Sequence, residues 1–135
     1  MVNREAVSLE LLHKISKTAI EASGTWIVGT FKSPQPVYKN RDVRFPRLCI
    51  WVENDSGRLL NTTIFEDRIE LMVLDQTMRL IINSGHKPKK IVVHSDAMHF
   101  VMHPVLRKLN IACKKEEPSR IIRIIMERII SSINY

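Results

Sequence analysis

The segment Arg47–Glu53, RLCIWVE, restricts the fold of this chain more than any other. Five consecutive apolar residues, Leu48 to Val52, leave no polar alternation, so a strand here presents apolar side chains on both of its faces. Such a strand needs cover on both sides, which points to a layered α/β fold and away from a helix bundle or a surface sheet. Asn54, Asp55, Ser56 and Gly57 follow as turn residues, and RLLNTTIF, residues 58–65, reads as a second strand. Residues 47–65 are therefore expected to form a β-hairpin.

The rest of the chain alternates. Residues 67–83 have a wide apolar surface at helical spacing, including Met72, Leu74, Met78 and Ile81. KKIVVHS, 89–95, is a third core strand, and Ser95 or Asp96 is placed to cap a helix over 97–109. Pro104 inside that helix is expected to bend or restart it. IACKKEE, 111–117, is a fourth strand, and Pro118 opens a last helix running to about Ser132. That helix buries Ile121, Ile122, Ile125, Met126 and Ile129, while Ile124 projects near its polar side as a partner-surface signal. Upstream, residues 3–22 read as an amphipathic helix capped by Asn3, and TWIVGTF, 25–31, as a short strand. Residues 32–46, with Pro34, Pro36 and Pro46, read as a long loop or edge segment.

The hairpin gives antiparallel pairing, and the strand–helix–strand step gives a right-handed parallel crossover. The expected fold is α/β: a mixed sheet, antiparallel hairpin then parallel strands, flanked by helices. If TWIVGTF joins the hairpin, three antiparallel strands precede the first core helix, a succession similar to the ribonuclease H-like architecture, here with an extra N-terminal helix. One domain is expected over 1–135: the N-terminal helix to 24, the strand and Pro-rich loop over 25–46, and the α/β core over 47–135.

A further resemblance rests on RFPRLCIWVENDSGRLLNTTIFED and HKPKKIVVHSDAMHFVMHPVLRKLNIACKKEEPSRIIRIIMERI. Pro46-Arg47 before the hairpin, Lys87-Pro88 before a strand, Pro104 in a helix and the approach from Leu106 to Ile111 stand where a family of uncharacterised bacterial and plant domains has matching steps. This stretch, about residues 44–130, resembles that family. The resemblance implies a ribonuclease H-like core with no established activity, and it supplies no catalytic residues.

The formal charge is +7, from 21 Lys and Arg against 14 Asp and Glu. A basic surface attracts phosphates and other anions without sequence specificity. Lys87, Lys89, Lys90, Lys114 and Lys115 are the clustered cations, and hence the candidates for nucleic-acid contact. No apolar run nears the ~20 residues that cross a bilayer, so no membrane partner is expected. MVNREAVSLELLHK lacks the apolar core of a signal peptide, and two cysteines, Cys49 and Cys113, fit reduced core thiols. A cytoplasmic protein is the expectation.

Ribonuclease H-like nucleases hold two divalent ions with carboxylates at the end of the first core strand, on the first helix and at the end of the fourth strand. The candidates are Glu53 or Asp55 beside the hairpin turn, Glu70 or Asp75 on the helix, and Asp96 after IVVHS, with Mg²⁺ or Mn²⁺ implied under that reading alone. Each acid also has a local explanation: Asp55 in an Asx-type turn, Asp96 at a helix start, Glu70 facing solvent. Asp96, His99 and His103 share one helical face, with His94 at the adjacent strand end, and could hold a transition metal. The plain alternative is a solvated polar face opposite Met98, Met102, Val105 and Leu109. No phosphate-binding Gly loop or Gly-x-Ser-x-Gly elbow occurs. The leading expectation is a non-catalytic binding or interaction module with no cofactor, homodimeric through its wide-faced helices. A metal-dependent nuclease or phosphodiesterase, and sequence-independent nucleic-acid binding, are the alternatives.

Overall fold

The computed structural model describes residues 13–15, 23–33, 36–66 and 68–133. The helix expected over 3–22 lies outside them, apart from the helical stretch 13–15. After that stretch, the described residues form seven strands and three helices in chain order. These are β1 (Thr25–Lys32), β2 (Val37–Lys39), β3 (Asp42–Arg44), β4 (Arg47–Glu53), β5 (Arg58–Phe65), α1 (Ile69–Ser84), β6 (Lys90–Val93), α2 (Asp96–Lys108), β7 (Ala112–Lys115) and α3 (Arg120–Ile133).

Five strands form one mixed sheet in the order β5-β4-β1-β6-β7. β4 pairs antiparallel with β1 and β5, whereas β1, β6 and β7 pair in parallel. TWIVGTF does join the hairpin, and it occupies the centre of the sheet. The first core strand is thus β1 rather than RLCIWVE. The turn after β4 is closed by Gly57, at φ 70, whose N–H donates to the Glu53 carbonyl at 2.8 Å. The sheet is mixed and helix-flanked, the fold class that its patterning leads one to expect.

The apolar run of β4 is buried on both faces, as its composition requires. Cys49 and Trp51 join Trp26, Val28, Ile91 and Val93 under α1 and α2. Ile50 and Val52 join Ile27 and Val92 under Ile122 of α3. Burying each such aliphatic side chain contributes about 1.5–3 kcal/mol. Trp51 is fully enclosed, and its indole N–H donates to Thr77 Oγ1 at 2.9 Å. The Thr77 hydroxyl in turn donates to the Val73 carbonyl at 2.7 Å, so α1 satisfies the one polar atom that β4 sends into the core.

Among the described residues α3 covers the opposite face, and it lies close to β1. A Cβ built on Gly29 would stand 2.7 Å from Met126 Cε and 3.4 Å from Ile50 Cγ1. Glycine is needed here for close approach and not for its backbone angle.

Several local expectations are corrected. Residues 32–46 contain a two-stranded ribbon, β2 against β3, and not an unstructured loop. Of the two cap candidates, Ser95 caps α2: its hydroxyl accepts from Met98 N–H at 3.1 Å. Ser119 accepts from Ile122 N–H at the start of α3, which places Pro118 before that helix and not in its first turn. α2 runs unbroken through Pro104. Met72 is 43% exposed and contributes little to the core.

Replacing Thr77 with valine keeps the volume and removes the acceptor for Trp51. The expected cost is about 1–3 kcal/mol in urea unfolding, with no change in slope. Gly29→Leu should overpack the β1–α3 contact by about 1–3 kcal/mol, while Gly29→Ala costs less because the Met126 methyl can swing aside. Equal stability of Gly29→Leu and the parent in the same measurement would contradict that contact.

Candidate functional site

The parallel strands define two edges of the sheet. At the carboxyl edge β6 ends and α2 begins with Asp96; at the amino edge lie Gly24, Lys89 and the β4–β5 turn. Chain hydrogen bonds fix this frame: Lys89 N–H donates to Gly24 O, and Asn54 N–H to Thr25 O, both at 2.9 Å.

The expected carboxylates divide between these edges. Glu53 is level with Trp26, which pairs with Ile91 near the start of β6, so Glu53 and Asp55 sit at the amino edge. Glu53 accepts from Ser56 Oγ at 2.7 Å and pairs with Arg58 at 3.7 Å, which holds the turn. Asp96 follows the end of β6, at the other edge. Its carboxylate is 90% exposed and bonds Lys115 Nζ at 2.9 Å, a contact that raises the lysine pKa through the hydrogen bond and then the charge. Glu70 lies in the first turn of α1, after β5. β4 and β1 separate β5 from β6, so those strand ends stand about 14 Å apart. Asp75 Oδ2 accepts from Arg79 Nε along α1 at 2.8 Å, and its Oδ1 is buried with no hydrogen-bond partner among the described residues.

Two divalent ions need several hard oxygens at one point. β1, TWIVGTFK, carries no carboxylate. The candidate acids are not brought to one point, and among the described residues no three His, Cys, Asp or Glu side chains could share one ion.

The histidines are brought together in part. His99 and His103 stack on α2 with ring centroids 5.0 Å apart and planes 12° apart. His99 Nε2 lies 3.2 Å from the Cys113 carbonyl on β7. Ala112 and Glu116 donate toward β6, so the intervening Cys113 carbonyl points to the open edge, where the His99 ring N–H can donate to it. His94 is separate: its Nδ1 lies 2.7 Å from the Glu116 carbonyl, which makes that nitrogen the donor, and its Nε2 is enclosed with no partner among the described residues. Asp96 turns to Lys115 and does not join the pair.

The expected cationic set is also largely committed. Lys87 Nζ donates to the Leu109 carbonyl at 3.0 Å, Lys90 lies 3.4 Å from Glu116, and Lys115 holds Asp96. Lys89 and Lys114 are exposed. Neither cysteine is poised as a nucleophile: both are buried, and burial pushes the Cys113 thiol up to about 11 and Cys49 further.

Two features escaped sequence reasoning. One is a cleft of about 230 Å³ at the amino edge, lined by Ser23, Gly24, Trp26, Glu53, Asp55 and His86. His86 Nε2 is 3.0 Å from the Ser23 carbonyl. The other is the ribbon β2–β3, with Tyr38 76%, Val43 53% and Phe45 45% exposed. Its signal was the Lys39-Asn40-Arg41-Asp42 stretch, where Asn favours a two-residue turn.

Solved structures agree with this arrangement. The chain is similar to the HTLV-2 integrase catalytic core domain in complex with magnesium, in its dimeric form, with a TM-score of 0.59 and 14% identity over 84% of this chain and 70% of that one. It is similar to a chain of the simian T-cell lymphotropic virus intasome in complex with PP2A regulatory subunit B56 gamma, with a TM-score of 0.58 and 17% identity over 85% of this chain and 40% of that one. It also matches the catalytic core domain of BIV integrase, with a TM-score of 0.50 and 14% identity over 79% and 64% of the two chains. The chain thus spans about two fifths of the intasome chain. At these identities the likeness is one of fold, and that fold is ribonuclease H-like. No curated protein matches the sequence. A family model covers residues 11–130, and by that match the chain belongs to the family described as a domain of unknown function, DUF6930.

Proposed function

We propose that this protein uses the ribonuclease H-like scaffold as a non-catalytic binding module. The observation that carries the proposal is the division of its acids. The central strand has none, Glu53 and Asp55 lie at one edge, and Asp96 lies at the other, tied to Lys115. A phosphoryl-transfer site needs its charges converging where the scissile phosphate sits. Here they serve a turn, a surface ion pair and a helix.

Self-association is a second feature of the proposal. α3 leaves Ile124 38% exposed, and Ile121, expected on the buried face, 49% exposed. Among the described residues no helix is long and apolar enough to cross a membrane.

The test of catalysis is incubation with labelled single-stranded DNA, duplex DNA and an RNA·DNA hybrid in millimolar Mg²⁺ or Mn²⁺. The expected result is no cleavage above the metal-free sample. Metal-dependent cleavage that disappears in Asp96→Asn or Glu70→Gln would overturn the proposal. For self-association, sedimentation equilibrium at micromolar concentration should show a dimer that Ile124→Glu dissociates; a monomeric parent would remove that feature.

A further inference from the structure

We infer that the β2–β3 ribbon is a contact element for single-stranded nucleic acid, with cations reaching the phosphates and exposed aromatic rings stacking on bases. The inference rests on the reading of the chain as a binding module and names its partner.

Charge is concentrated here. Residues 32–47 hold Lys32, Lys39, Arg41, Arg44 and Arg47 against Asp42 alone, four of the chain's seven net positive charges in 16 of its 135 residues. Arg41, Arg44 and Arg47 are exposed and have no ion-pair partner among the described residues. The contrast is with Lys87, Lys90 and Lys115, each held by a neighbour. Unpaired guanidinium groups bind phosphate without first giving up a partner.

The ribbon is built, not loose. Val37 pairs with Arg44, Tyr38 with Val43 and Lys39 with Asp42. Its base is tied to the sheet by Ser33 N–H donating to the Pro46 carbonyl at 2.8 Å, with Ser33 buried. Its tip is a two-residue turn with Asn40 at φ 51 and Arg41 at φ 74. Positive φ at both central positions is the turn that matches strand twist, and glycine is the residue that enters it without cost. An arginine held there puts a guanidinium at the farthest point of the ribbon.

Aromatic groups share the element. Tyr38 and Val43 are cross-strand partners and so lie on one face, with Tyr38 76% exposed. Phe45 is 45% exposed, and Lys32 Nζ lies 4.3 Å from its ring centroid. Arg44, whose cross-strand partner is Val37, lies on the ribbon's other face, so a single strand wrapped around the ribbon meets a ring on one side and a cation on the other, with Arg41 at the tip between them. An anionic membrane would be met by the same charges, but one tyrosine, one valine and a half-exposed phenylalanine offer little apolar area for insertion.

The test uses the full chain and fluorescence anisotropy with a labelled oligothymidylate at low salt. The parent should bind, with affinity falling as salt rises. Arg41→Gly with Arg44→Ser should weaken binding about tenfold or more and flatten the salt dependence. Tyr38→Ala should weaken it about 5- to 100-fold. Arg41→Gly alone relaxes the turn instead of straining it, so it reports charge even if a double variant fails to fold. Lys89→Ala with Lys114→Ala, away from the ribbon, should have the smaller effect. Unchanged affinity in the ribbon variants would overturn the inference. So would tighter binding of the matching duplex, or binding to phosphatidylserine vesicles with none to the oligonucleotide. Cleavage of the oligonucleotide on adding Mg²⁺ would overturn the non-catalytic reading and leave the ribbon contact standing, whereas absence of any oligonucleotide binding would do the reverse.

Discussion

Everything in this fold hangs on β1 pairing two ways at once. On one side it runs antiparallel to β4 from Trp26↔Glu53 to Lys32↔Arg47; on the other it runs parallel to β6 from Thr25↔Lys90. A hairpin and a parallel crossover unit thereby become one sheet with one pair of faces. The alternation along β1 divides the interior: Trp26 and Val28 face α1 and α2, and Ile27 faces α3. Without that strand, the β4–β5 hairpin and the β6–β7 pair would each present apolar surface with no shared layer to cover it.

What was legible in the letters follows from this. A run such as Leu48–Val52 can only be a doubly covered strand, and the Asn-Asp-Ser-Gly turn after it leaves one way to continue. The helix over Ile69–Ser84 and the strand Lys90–Val93 were legible for the same reason: their period and length agree with their caps. The central role of TWIVGTF was harder to see. Seven residues ending in Gly-Thr-Phe carry a weak strand signal, and the partner that makes Gly29 useful, Met126, lies 97 residues along the chain. The ribbon was missed because prolines flank it. Pro34, Pro36 and Pro46 argue against a sheet, and Pro36 and Pro46 do lie outside β2 and β3, at the ribbon's entry and exit.

The candidate site was legible only as a set of residue types. Spacing puts Asp96, His99 and His103 on one helical face; Asp96 and His99 reach β7, and His103 stacks on His99. It could not tell that β7 supplies Lys115 and a free carbonyl there, which absorb Asp96 and His99. Likewise, with RLCIWVE as the first core strand, Glu53 and Asp55 would stand at the same edge as Asp96. Once β1 takes that place, β4 is reversed and its acidic end moves to the far edge of the sheet. One change of strand assignment separates the carboxylates.

The same packing bears on chemistry. In ribonuclease H-like enzymes the first core strand carries an acid, and a charged side chain there needs water, a cation or hydrogen-bond donors around it. On β1 the positions facing α3 are met by Ile122, Ile125 and Met126, and at Gly29 α3 is close enough that even a methyl group would touch it. An acid at Gly29 would be buried among aliphatic groups with nothing to pair it. The α3 cover that completes the second face therefore disfavours a carboxylate at that point, whereas a side chain at the sheet's periphery keeps its charge in water. The element inserted between β1 and β4 occupies such a position: it leaves the rigid centre at Ser33, returns at Pro46, and carries its charge and its rings in solvent.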